Sequence, residues 1–195
     1  MQNTFIRLIL WVQALLFLLP GCAPMILTGV GVGAGAGALM VEDRRSSGMY
    51  IDDEGIELKT NRRIGERLGD RVHVNVTSFN RNVLLTGEAP DEFTKKEIEK
   101  LAMSIENVQN ISNEITIAPK SSLSSRSNDA LITSKVKARF INNKVFQMNH
   151  IKVVTENGVV YLLGLVTRKE GDTATRIAST TESVLRVVKV FEYLD

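Results

Sequence analysis

The sequence predicts an α+β protein built from two tandem copies of one αββαβ unit, each a small mixed three-stranded sheet packed by two helices. Three observations carry that prediction. The chain repeats itself at an offset of about 76 to 77 residues. Each copy holds a stretch of period-two alternation whose return strand ends in glycine, and each places apolar residues at helical spacing on both sides of it.

The repeat is visible as paired blocks. The segment "VHVNVTSFNRNVLLTGEAP" beginning at Val72 corresponds to "IKVVTENGVVYLLGLVT" beginning at Ile151, with Val74 set against Ile151 and Gly87 against Gly164. Further on, "LAMSIENVQNI" at Leu101 corresponds to "IASTTESVLRV" at Ile177, matching Ala102 with Ala178, Glu106 with Glu182 and Val108 with Val184. The offset shifts by one residue between the blocks, as one deletion in a loop requires.

Each unit opens with a helix. Ile56, Thr60 and Ile64 recur at intervals of four in a charged segment, and Ile132, Val136 and Phe140 do the same in the second unit, behind Asn128 or Asp129 as the expected N-cap. A half-buried strand follows, with Val72, Val74 and Val76 alternating against His73 and Asn75. Residues 80–82, and Asn157-Gly158 in the second unit, supply the hairpin turn before return strands at 83–86 and 159–163. Gly87 and Gly164 close those strands where a side chain is excluded, by a positive φ or by a backbone passing close. A second helix is written in Ile98, Leu101, Ala102 and Ile105, and more weakly in Ala174, Ile177, Ala178 and Thr181. Ile111, Ile115 and Ile117, and residues 187–193, make the final strand of each unit.

That element order, the glycine closing each hairpin and the small alanine on each second helix resemble the BON domain, named for bacterial OsmY and nodulation proteins. The resemblance places one domain at 47–118 and a second at 128–195, joined by a Ser-rich linker at 119–127.

The amino-terminal residues carry a different signal. A single basic side chain, Arg7, precedes an apolar run at 8–19, the length of a signal-peptide core and short of a bilayer span. Leu19-Pro20-Gly21-Cys22 resembles the lipobox of bacterial lipoproteins, which makes residues 1–21 a lipoprotein signal peptide, Cys22 the lipidated first residue, and 22–46 a Gly-rich tether. Two other readings stay open. No charge falls between Leu8 and Val41, so a retained membrane helix with Gly29, Gly33 and Gly37 on one face is one, and a free thiol at Cys22 is the other. Cys22 is the only cysteine, so no internal disulfide forms and stability must come from packed cores.

Composition excludes several functions. Without residues 1–21 the chain carries 23 Lys+Arg against 22 Asp+Glu, which is no electrostatic footprint for nucleic acid. No HExxH, P-loop or GxSxG stands in the sequence, and "GVGAGAG" lacks the strand and helix of a dinucleotide site, so neither catalysis nor a cofactor is expected. The two histidines, His73 and His150, occupy equivalent positions in separate units without cysteines or a nearby carboxylate pattern, so no metal site is expected either. A periplasmic hydrolase would have to use one of them.

Charge differs between the matched first helices. Residues 52–71 carry five basic and six acidic side chains, whereas residues 126–144 of the second unit have Arg126, Lys135, Lys137, Arg139 and Lys144 against Asp129 alone. Leu131, Lys135, Ala138 and Arg139 form a stripe beside the core face, suited either to anionic phospholipid or to plain solvation. With the lipobox in front, the whole is similar to the dual BON-domain outer-membrane lipoproteins of Gram-negative bacteria. That resemblance implies a lipid-anchored, periplasm-facing protein, with Ala23 consistent with outer-membrane sorting, whose second domain binds anionic phospholipid and supports outer-membrane integrity. The matched positions are Ala130, Leu131, Ile132, Ser134, Lys135, Ala138 and Arg139. The alternative is a protein-interaction module acting on the outer-membrane protein assembly machinery.

Overall fold

The computed structural model describes residues 43–195. The expected signal peptide, Cys22 and the expected tether up to residue 42 lie outside the described residues.

The first unit runs α1 (Ser47–Leu68), β1 (His73–Phe79), β2 (Asn82–Ala89), α2 (Glu92–Met103), β3 (Asn110–Asn113) and β4 (Thr116–Ile117). The second runs α3 (Leu123–Ile141), β5 (Ile151–Glu156), β6 (Val159–Val166), α4 (Arg168–Ser179) and β7 (Arg186–Tyr193). In each, an antiparallel hairpin is extended by a parallel strand on the far side of its second member, the connection that a crossover helix makes possible. The αββαβ order therefore stands twice.

Both helices of a unit pack on the same face of its sheet. Ile56, Ile64 and Leu68 of α1 meet Ile98 and Ala102 of α2 over Val76, Val83, Leu85 and Ala89. Ile132, Val136 and Phe140 of α3 meet Ala174 and Ala178 of α4 over Ile151, Val153, Val160 and Leu162. Each Val, Leu, Ile or Phe side chain among these contributes roughly 1.5–3 kcal/mol by leaving water.

The opposite faces of the two sheets pack on one another. Phe79 and Leu84 of the first sheet and Tyr161, Leu163 and Leu165 of the second form a third apolar cluster. The layers run helices, sheet, sheet, helices. Strand β6 is consequently apolar on both faces, with every residue from Val160 to Val166 buried.

Two details differ from the sequence expectation. The last strand of the first unit is split, because β2 kinks at Gly87 (φ +114°) and β3 and β4 pair on either side with unchanged register. In the second unit Gly164 has no positive φ and is instead crowded by the His150 carbonyl, the other of the two expected reasons, and β7 pairs along all of β6 without a break. The linker is shorter than expected, since residues 123–127 are already helical and Ser122, not Asn128 or Asp129, caps α3 by accepting from the Ser125 N–H. The serines that suggested a loop are accommodated within the helix, Ser127 donating back to the Leu123 carbonyl as Ser134 does further on to that of Ala130.

Candidate functional site

Helix α3 separates its side chains by chemistry. Asp129, Ile132, Val136 and Phe140 are buried, which corrects the assignment of Ile132 to a lipid-contacting set: at 1% exposure it belongs to the core. On the outward face stand Ala130, Leu131, Ser134 and Ala138, all exposed, continued by Leu123 and Ile141 at the two ends. Helical spacing puts these six on one surface that carries no charge. Lys135 and Arg139 flank it on the α4 side, and Lys137 on the other.

The flanking cations are partly engaged. Lys135 donates to Glu182 Oε2 at 2.8 Å, and Glu182 is held low in pKa by that bond. Arg139 donates to the carbonyl of Ile177 and the hydroxyls of Thr180 and Thr181, tying α3 to the end of α4. Arg139 is thus a packing residue as much as a surface charge. The matched helix α1 has a different outer face, where Ile51 and Leu58 are interrupted by Glu54, Arg62 and Glu66, the last two in an ion pair.

The conserved geometry of the two units lies in their hairpins. Asp53 of α1 accepts from the backbone N–H groups of Asn80 and Arg81, both at positive φ, and from Ser78 Oγ. Asp129 of α3 accepts from the N–H groups of Asn157 and Gly158, the equivalent turn. A buried aspartate on each first helix therefore pins each hairpin turn, a role that sequence reading missed although Asp53 and Asp129 stand three residues before Ile56 and Ile132. At the hairpin's open end a Cβ on Gly87 would collide with the His73 carbonyl oxygen, and one on Gly164 with that of His150.

The histidines have carboxylate neighbours after all. His73 Nδ1 lies 3.0 Å from Glu88 Oε2, and His150 Nδ1 3.9 Å from Glu170 Oε1. Ser121 Oγ approaches His73 at 3.4 Å, but at the same Nδ1 that faces Glu88. A hydrolytic relay needs serine and carboxylate on opposite ring nitrogens, so these three do not form one. Glu88 also accepts from Asn157 Nδ2 and the Ser121 N–H; burial pushes its carboxyl up, and those hydrogen bonds outweigh it to leave the pKa lowered. Glu156 accepts from Asn75 Nδ2 at 2.7 Å, and burial, helped by the charge of Glu88, raises its pKa.

Residues 43–46 cross the seam between the units. Arg44 pairs with both carboxylate oxygens of Glu170 at 2.8 Å and donates to the Leu165 carbonyl. Arg45 bonds Asp43 and Asp53 and stacks over the Phe79 ring, 4.1 Å from its centroid.

A duplicated αββαβ sandwich with hairpin-closing glycines defines a tandem two-domain α+β protein, and the BON domain family matches residues 52–119 and 128–195. The chain belongs to that family. It is 36% identical over 180 residues to the outer membrane lipoprotein DolP of Haemophilus influenzae, covering 91% of each chain. It is also 32% identical over 154 residues to the 21 kDa hemolysin of Actinobacillus pleuropneumoniae, covering 78% of this chain and 79% of that one. Osmotically-inducible protein Y of Escherichia coli is 26% identical over 144 residues, 72% of each.

Proposed function

We propose that this chain is an outer-membrane lipoprotein, anchored through acyl chains on Cys22 and facing the periplasm, that binds anionic phospholipid through the outward face of α3 and so supports outer-membrane integrity. One observation carries the reading: Leu123, Ala130, Leu131, Ser134, Ala138 and Ile141 make an uncharged, partly apolar helix face bordered by cations, where the repeated helix α1 has charges. Such a face enters the headgroup boundary at low desolvation cost, while each basic side chain near an anionic surface adds about 1 kcal/mol. Relationship over 91% of the chain to an outer membrane lipoprotein supports the anchor and compartment. Among the described residues no helix is long and apolar enough to cross a membrane.

Sedimentation with phosphatidylglycerol vesicles tests the lipid reading. Binding that is lost on Leu131→Glu plus Lys135→Glu and absent with phosphatidylcholine is the expected result. No vesicle binding by the intact protein would overturn it and leave a protein partner in the envelope assembly machinery as the better account. Mass spectrometry of the mature amino terminus, with and without Cys22→Ser, tests the anchor independently.

A further inference from the structure

The sheet-to-sheet seam holds a group of side chains that lipid binding does not use. His73 and Glu88 come from the first unit and Glu156 from the second, and one ligand atom from each lies within 4.8 Å of the others. Both carboxylates are buried, Glu88 at 2% and Glu156 at 5% exposure. Of the other buried carboxylates, Asp53 pairs with Arg45, Glu170 pairs with Arg44, and Asp129 accepts from two backbone N–H groups. Among the described residues, Glu88 and Glu156 have neither lysine nor arginine in contact, only Asn75, Asn157, the Ser121 N–H and the histidine.

A second observation points the same way. Thr86, 1% exposed, has a side-chain hydroxyl with no hydrogen-bond partner. Its cross-strand partner is Asn75, the residue that reaches Glu156, and it stands two residues from Glu88 on the same face of β2. An unpaired buried hydroxyl costs roughly 1–3 kcal/mol, and a cation's bound water would supply its partner.

We propose that His73, Glu88 and Glu156 bind one divalent transition-metal cation, with Zn²⁺ as the best match, and that the ion fastens the first domain to the second. One imidazole nitrogen and two carboxylate oxygens are the donor set of a zinc-type site, and their present spacing needs only a small contraction to the roughly 3.3 Å between ligands of a tetrahedral ion. Two carboxylates and a neutral imidazole around a divalent ion sum to zero charge, which removes the repulsion between Glu88 and Glu156. Binding replaces the His73–Glu88 hydrogen bond and leaves the imidazole proton on Nε2. Hard, imidazole-indifferent ions such as Ca²⁺ are disfavoured by the nitrogen ligand and the small number of oxygens.

Equilibrium dialysis of the full chain in detergent against Zn²⁺, with metal counted by mass spectrometry, tests this. The expected result is one zinc per chain, with affinity at least tenfold weaker in His73→Gln and in Glu156→Gln, and little retention of Ca²⁺. Co²⁺ should give a visible absorption band that His73→Gln abolishes, while circular dichroism shows both variants folded. His73 is only partly buried, so its variant keeps the test alive if Glu156→Gln fails to fold. Equal zinc uptake by the wild type and both variants, or none by the wild type, overturns the site.

Discussion

Arg44, ahead of the first domain, holds Glu170 in the second domain through two parallel hydrogen bonds of 2.8 Å. The pair lowers the Glu170 carboxyl to about 2, chiefly through the Arg44 hydrogen bonds, opposed by burial and aided by the Thr167 cap. Because the folded-state pKa lies below the ordinary value of 4.5, this contribution is full above that value and is lost as pH falls toward 2. Arg44→Met should therefore cost about 1–3 kcal/mol at neutral pH, and its stability should decline less than the wild type's between those limits. Urea melts at stepped pH read both effects, and parallel acid curves for the two proteins would refute the assignment.

The turn-pinning aspartates should be unequal. Asp129→Ala strips partners from two backbone N–H groups, one of them the buried Gly158 N–H, a loss of about 2–4 kcal/mol. Asp53→Ala does the same at Asn80 and Arg81, leaves Ser78 Oγ without an acceptor, and removes one of the two carboxylates that hold the Arg45 guanidinium, the other being Asp43. Its cost should be larger, about 3–5 kcal/mol, because a cation whose side chain is only 8% exposed loses a partner. Denaturant midpoints of the two variants in one background settle the order.

Glycines divide into those that must be glycine and those that need not. Gly87→Ala drives a methyl into the His73 carbonyl of the neighbouring strand and Gly164→Ala into the His150 carbonyl just before β5, so both should fail to fold or lose more than about 3 kcal/mol. Gly87→Ala should be the worse, having a φ of +114° in addition. Gly55 and Gly65 lie inside α1 with nothing within 4 Å of a built Cβ, so alanine there should stabilise by about 0.5–1 kcal/mol. Thermal melts of the four variants give opposite signs if the strand and helix environments are as described.

Much of this was written in the chain. The fourfold spacing of Ile56, Thr60 and Ile64 gave the core face of α1, and the alignment of Val74 with Ile151 and of Gly87 with Gly164 matches the cross-strand pairs Val74–Gly87 and Ile151–Gly164. What escaped reading depends on the seam. "VVYLLGLV" is too continuously apolar for a strand with one wet face, and that was the available sign that the sheets pack together. Nothing in periodicity could bring Glu156 to His73, since these residues, 83 apart in sequence, meet only through domain packing. Ile132 and the start of α3 were misjudged for local reasons: a core isoleucine sits beside an exposed leucine in sequence, and serines that resemble a linker bond back to their own helix.

The outward face of α3 permits a test that separates membrane contact from folding. Ala138 and Leu131 are exposed and touch no core cluster, so Ala138→Glu and Leu131→Glu should each change stability by less than about 0.5 kcal/mol. On phosphatidylglycerol vesicles each should weaken binding about tenfold, because a carboxylate on an uncharged helix face must be dehydrated at the interface and repels anionic headgroups. Leu58→Glu, at the equivalent outer face of α1, should leave vesicle binding unchanged, since that face already carries Glu54 and Glu66. Equal losses from Leu58→Glu and Leu131→Glu in a co-sedimentation series would mean that general charge, and not the α3 face, governs attachment.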